Sequence, residues 1–220
     1  MSIYSQRGVT IWELLTTLLV VGIILGLGVP NFMEFERSSA MTAAANELLT
    51  GLMTARTEAI KRQVPVTLCA SANPTAAAPT CSPTGAGANG GFIVWVDENG
   101  NVDANGSPIL TDATDGNHVV DAGETILLQR AAPGGKINVW ADLGYITYGP
   151  SGFPFKNTVV HVNDILLCDD RGNRTAAAGN STARLIRVAS TGRAQVLRNI
   201  NEVSAGLATI TAAGVAAACP

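Results

Sequence analysis

The chain is short of charge. Asp, Glu, Lys and Arg together make up 14% of its 220 residues, and the net charge is −3. That balance excludes a polyanion binder acting through bulk charge. Histidine is scarce: His118 and His161 are the only two, and they form no recognisable metal pair. None of the four cysteines forms a C-x-x-C pair, which argues against a thioredoxin-like site or a zinc knuckle. No phosphate-binding glycine loop precedes a helix, and Tyr148-Gly149-Pro150-Ser151-Gly152 lacks the spacing of a nucleophile elbow. No period of self-similarity runs through the chain, so a repeat architecture is excluded. Catalysis finds no support in these residues, and the chain is expected not to be an enzyme.

What is present begins with Arg7 to Phe32, a short polar head followed by a nearly unbroken apolar run, Leu14 to Val29. The run approaches the roughly 20 residues that cross a bilayer core at 1.5 Å rise each. Glu13 stands at its edge, where an unpaired carboxylate costs on the order of 2–3 kcal/mol, so the acid invites a functional reading. A secretory signal wants a basic start and a small-residue cleavage site soon after the apolar core. Ala40 to Ala45 lies rather far downstream for that. A plain membrane anchor leaves Glu13 without a role.

Arg7-Gly8-Val9-Thr10-Ile11-Trp12-Glu13-Leu14 resembles the class III signal of type IV pilins and pseudopilins. The resemblance implies that a prepilin peptidase removes residues 1–8, cutting between Gly8 and Val9, and that the new amino terminus at Val9 is methylated. Glu13 then becomes the fifth mature residue and meets the amine of a neighbouring subunit during assembly. Pairing lowers the cost of burying either charge, whereas removing one partner strands the other. Val9 stands where the family usually has an aromatic residue.

The resemblance divides the chain into the leader 1–8, a membrane half of the helix over 9–30, an amphipathic half over 31–64 and a β-rich domain over 65–220. Pro30 interrupts the helical pattern, and a proline there kinks a helix whose pattern resumes. Ala45, Leu48, Leu49, Leu52, Ala55 and Ala59 then recur at spacings of three and four, with Glu47, Arg56, Glu58, Lys61 and Arg62 largely on the other side. One face of this half must be buried against a sheet. Ala55-Arg56-Thr57-Glu58-Ala59-Ile60-Lys61-Arg62 resembles the phrase that ends this helix in the minor pilins and pseudopilins called FimT, FimU or GspH. Pro65 marks the stop.

Strands are expected at Val64–Ala70, Phe92–Val96, Thr125–Gln129, Ile137–Trp140, Ile146–Tyr148, Val159–Val162, Asp164–Cys168, Ala183–Ala189 and Ala194–Leu197, punctuated by glycine turns. A long helix followed by antiparallel strands gives an α+β domain of the type IV pilin kind. Between strands, Asp97, Asn99, Asn101 and Asp103 place oxygen side chains at alternate positions, as calcium loops do. Val102 and Pro108 occupy the positions where an EF-hand has Gly and Glu, so a plain turn held by Asx hydrogen bonds is the expectation and calcium the alternative. No other cofactor is expected.

The cysteines at 69, 81, 168 and 219 allow three pairings. A membrane segment would deliver the rest of the chain to an oxidising compartment, where disulfides persist. Cys69–Cys81, closing a Pro/Ala/Thr-rich loop, and Cys168–Cys219, pinning the tail, are favoured. Finally, Arg171 to Arg198 holds Arg171, Arg174, Arg184, Arg187, Arg193 and Arg198 with no lysine. Ser190-Thr191-Gly192-Arg193 resembles the C-terminal T-G-R phrase of the same subgroup. In its members involved in natural transformation, basic residues of this region bind DNA, which implies weak, sequence-independent DNA binding centred on Arg193 with Arg184, Arg187 and Arg198. Arg184 and Arg187 differ by an odd step, so a straight strand points them to opposite faces.

The expectation is a minor pilin or pseudopilin of the bacterial inner membrane with a periplasmic domain. Its partners are other pilins, the prepilin peptidase and, weakly, DNA. The H-type pseudopilin of type II secretion is the close alternative. A membrane-anchored or secreted binding domain that forms no filament is the alternative from another class.

Overall fold

The computed structural model describes residues 8–82, 91–97, 101–102, 108–109, 120, 124–131, 137–141, 144–154, 164–212 and 219. Of these, 27–28, 30–31, 101–102, 108–109, 177 and 212 are described in backbone only. Contacts divide the chain into residues 1–39 and 40–220. A single helix, α1 (Ile11–Arg62, 52 residues), runs through both units, and it continues across Pro30.

Thr10 caps α1: its carbonyl accepts the Leu14 amide at 3.1 Å and its Oγ1 accepts the Glu13 amide at 3.3 Å. Thr10-Ile11-Trp12-Glu13 has the spacing of a capping box, and an acid in the first turn suits the positive end of the helix dipole. At the other end Gln63 turns into the left-handed region at φ 59°. Its amide closes on the Ala59 carbonyl at 2.9 Å, and Pro65 follows shortly after. The helix therefore stops at Arg62, and the first strand starts at Val66 rather than Val64.

In the second unit, one four-stranded antiparallel sheet has the order β5 (Thr125–Arg130), β2 (Phe92–Val96), β1 (Val66–Ala70), β7 (Tyr145–Tyr148). The other has the order β10 (Ala194–Asn199), β9 (Asn180–Val188), β8 (Asp164–Cys168), β6 (Asn138–Ala141). A two-stranded ribbon pairs β3 (Asn101–Val102) with β4 (Pro108–Ile109). Alternation along each strand sends every second side chain to one face. Val66 and Leu68 of β1, Val94 and Val96 of β2, Ile165 and Leu167 of β8, and Ile186 and Val188 of β9 join Met41, Ala45, Leu48, Leu52, Ala55 and Ala59 of α1 in the main core. Burying a side chain such as Leu52 contributes about 2 kcal/mol. Gly51 lets α1 approach closely: a Cβ there would lie 2.9 Å from Phe92 Cζ and 3.1 Å from Leu68 Cδ1.

The opposite faces carry two smaller cores. Cys69, Ile93 and Trp95 form one behind the first sheet, with Ile126 and Tyr145 against them. Leu166, Cys168, Ala183 and Leu185 form the other behind the second sheet, covered by Val203 and Ile210 of α2 (Ile200–Ala212). This helix is an addition to the strands read from the sequence. Asn199 caps it, accepting the Asn201 amide on Oδ1 at 2.9 Å. The expected strand Val159–Val162 lies outside the described residues.

Candidate functional site

In the first unit, every described side chain from Gly8 to Gly26 is exposed, including Val9, Ile11, Trp12, Leu14, Leu18, Leu19, Ile23, Ile24 and Leu25. A contiguous apolar surface of this extent marks a protein or membrane contact. Leu27, Gly28, Pro30 and Asn31 are described in backbone only, and among the described residues no helix is long and apolar enough to cross a membrane. Glu13 sits in the first turn of α1, one residue before the apolar run begins.

The arginine-rich region divides into buried and exposed members. Arg184 lies within the domain, only 2% exposed. Its Nη1 donates to the carbonyls of Ser181 at 2.9 Å, Thr182 at 3.2 Å and Ala183 at 2.9 Å. Burial pushes its guanidinium down to about 10, helped by the nearby Arg198 and Arg171 and opposed by Asp169, so the charge persists at neutral pH. Arg187 makes a bidentate pair with Asp164, Nε to Oδ1 at 2.8 Å and Nη2 to Oδ2 at 3.0 Å. The hydrogen bond to Asp164 holds its guanidinium above the usual arginine value. Register confirms the alternation: Arg184 faces Leu167 and Arg187 faces Asp164 on β8. Arg171 pairs with Asp169 through Nη2 at 2.6 Å. Arg193, in the turn between β9 and β10, and Arg198, near the end of β10, are exposed.

The two phrases singled out in the sequence meet in space. Arg56, on α1, donates through Nη2 to the Thr191 carbonyl at 3.1 Å, so the helix phrase holds the T-G-R turn. Gly192 enters this junction at φ 78°, and a Cβ there would lie 3.2 Å from Tyr148 Cε1 and would also strike the Gly152 carbonyl. Gly152, at φ 75°, faces Ile60, whose Cδ1 would lie 2.6 Å from an added Cβ. Sequence reasoning gave Arg56 and Tyr148 no part in this junction. The glycines flanking them were the available signal, since each sits where only a residue without Cβ fits.

Tyr148 is fully buried, and among the described residues its hydroxyl has no hydrogen-bond partner. Burial pushes its phenol up to about 12, and the nearby Arg56 charge opposes this. A folded-state value above the unfolded one favours folding below the unfolded value of about 10, and this contribution is lost as pH rises through the folded one. Tyr148→Phe is expected to leave stability at pH 8 nearly unchanged, because it removes an unsatisfied hydroxyl. It is also expected to lose less stability than wild type between pH 10 and about 12. Urea midpoints of both proteins across that range test this, and parallel curves would contradict it.

Asp97 is buried at the end of β2. Asn99 and Asp103 lie outside the described residues, and Asn101 is described in backbone only. Among the described residues no group of three or more His, Cys, Asp or Glu is placed to hold a metal ion. Cys69 and Cys81 are disulfide-bonded, with Cα atoms 5.6 Å apart, and so are Cys168 and Cys219, at 5.8 Å.

Residues 44–192 match the family of type II transport protein GspH. The chain belongs to this family. No curated protein sequence matches the chain. Two crystal structures of the type IV minor pilin FimU of Pseudomonas aeruginosa resemble it. One, in space group P21, is 15% identical with a TM-score of 0.44, over 74% of this chain and 92% of the other. The second, in space group P65, is 16% identical with a TM-score of 0.40, over 71% and 91%. The GspH match spans α1 from Ala44 to the T-G-R turn, and so contains Arg56, Tyr148, Gly152 and Gly192 of the junction.

Proposed function

We propose that this GspH-family chain is a structural subunit without catalytic activity, a minor pilin or pseudopilin that assembles with other subunits of its kind. It waits in the inner membrane, held by the apolar part of α1, with residues 40–220 in the periplasm. It then enters a type IV pilus near the tip or, in the alternative, a type II secretion pseudopilus. The observation carrying this reading is the exposed apolar half of α1, with Glu13 in its first turn, on the same helix whose other half is the spine of the folded domain. Prepilin peptidase removes residues 1–8, and methylation at Val9 follows.

Mass spectrometry of the mature chain is expected to find a methylated Val9 terminus, and an intact Met1 in a peptidase-competent host would refute the maturation. Glu13→Ala is expected to leave the domain folded and to reduce incorporation into sheared filaments at least about tenfold, as loss of a buried charge partner implies. Normal incorporation on immunoblot would remove the registry role. A knockout scored for twitching, transformation and secretion separates pilus from pseudopilus.

Weak DNA contact belongs to the same reading. With Arg184 enclosed and Arg187 paired to Asp164, it rests on the exposed Arg193 and Arg198. Arginine–phosphate contacts weaken with salt through counterion release. A gel shift at two salt concentrations, with Arg193→Gln as control, decides it. Calcium at Asp97–Asp103 is the alternative to a plain turn, and calorimetric titration with calcium distinguishes the two.

A further inference from the structure

The second sheet is covered twice, by α1 on one face and by α2 on the other, and the two coverings share no core. Leu166, Cys168, Ala183, Leu185, Val203 and Ile210 form a cluster separate from the one beneath α1. α2 follows β10 directly and has 13 residues, a length at which an isolated helix is marginal in water. Its grip is narrow. Among its described side chains Val203 and Ile210 are the only large ones buried, with Leu207 partly buried beside them. At Gly206 the helix backbone lies against Leu185, whose Cδ2 would be 2.5 Å from an added Cβ.

Two further fastenings come from one place, the end of β8 and the turn after it. Asn173 Nδ2 donates to Ser204 Oγ at 2.9 Å, and Ser181 Oγ holds Asn173 by donating to its Oδ1 at 2.6 Å. Cys168, fully buried beneath α2, is bonded to Cys219 beyond the end of the helix. The turn carrying Asn173 is itself constrained. Gly172 stands at φ 68°, and further on Ala178, in the short 3-10 helix Ala177–Gly179, stands at φ 60°, a region non-glycine residues rarely adopt.

We propose that α2 is a strap latched by thiol oxidation, which opens as a unit when the Cys168–Cys219 bond is reduced while the rest of the domain stays folded. The inference holds whether the chain serves a pilus or a pseudopilus. Closing the latch takes one hydrogen from each thiol, and the two electrons and two protons pass to a more oxidising protein disulfide, which leaves as a dithiol. Opening reverses the exchange. A reductant thiolate attacks Sγ of Cys219, the less buried of the two residues, Cys168 departs as the leaving thiolate, and a second reductant thiol resolves the mixed disulfide. Reduction leaves α2 with a narrow apolar stripe, the side-chain bond of Ser204 to Asn173 and the attraction between Glu202 and Arg187. It uncovers an apolar strip of Leu166, Ala183 and Leu185. The region beneath α1 keeps its own core, so the opening is sub-global.

The test is hydrogen exchange with mass spectrometry on the full chain in detergent, comparing oxidised wild type with Cys168→Ala/Cys219→Ala, which spares Cys69–Cys81. Amides of residues 200–212 are expected to exchange at least about 30-fold faster in the variant, from the usual effect of a disulfide, with residues 41–59 unchanged. Equal exchange over 200–212 would overturn the latch. Faster exchange in both segments together, or a variant that does not fold, would overturn the separate strap. Wild type titrated with a dithiol gives a second reading: Cys168 is expected to become alkylated before residues 41–59 lose protection, and the reverse order would also overturn the proposal.

Discussion

Gly192→Ala should destabilise the domain by on the order of 3 kcal/mol, and urea unfolding followed by circular dichroism measures it directly. Two costs coincide at this position. The backbone stands at φ 78°, where an L-residue pays roughly 1–2 kcal/mol. The added methyl also meets the Gly152 carbonyl, a backbone atom that cannot rotate aside, and sits 3.2 Å from the buried Tyr148 ring. Relief requires the turn between β9 and β10 to lift from α1, which takes Thr191 away from Arg56. Gly179→Ala is the matching control, with φ 73° but, its chain neighbours aside, no atom of the described residues within 4 Å of the added methyl. It should show the backbone cost alone, about 1–2 kcal/mol. Equal losses in the two variants would mean that the junction tolerates the methyl and that Arg56 does not fix the turn.

Arg187→Ala should cost about 3 kcal/mol, more than Asp164→Asn at about 1 kcal/mol, although both break the same pair. The asymmetry follows from exposure. The Asp164 side chain is 4% exposed, against 37% for Arg187. Without Arg187 a carboxylate is left buried, whereas without the carboxylate the guanidinium can turn to water. Equal destabilisation, or the reverse order, would contradict this account. A DNA-binding defect in Arg187→Ala would therefore carry a folding defect with it, and Arg193→Gln is the cleaner probe of phosphate contact.

Dense runs of β-branched and aromatic residues made much of the sheet legible in the sequence. Phe92–Val96 is such a run, and Asp164–Cys168, an apolar stretch with the single β-branched residue Ile165, also has the bounds read from the sequence. The helical spacing of Ala45 through Ala59 marked the buried face of α1 in the same way. α2 was hidden because its apolar stripe, Val203, Gly206, Leu207 and Ile210, is diluted by alanine, glycine and threonine. The signal was nonetheless present: Asn199 followed three residues later by Glu202 is a helix start. The division among the arginines was only half legible. Alternation puts Arg184 and Arg187 on opposite faces, but the carbonyls of Ser181, Thr182 and Ala183 that enclose Arg184 come from local chain geometry that no pattern of side chains encodes.

Thr16 and Thr17 interrupt the apolar run of α1 in the sequence, but not in its outer chemistry. Thr16 Oγ1 donates to the Glu13 carbonyl at 3.0 Å and Thr17 Oγ1 to the Leu14 carbonyl at 2.8 Å. With each hydroxyl occupied within its own helix, little remains to desolvate in an oily surrounding. The oily sheath of α1 therefore starts at Leu14 and reaches Gly26 without a wet gap. The first group to demand a partner from outside the helix is the Glu13 carboxylate, and it stands immediately at the rim.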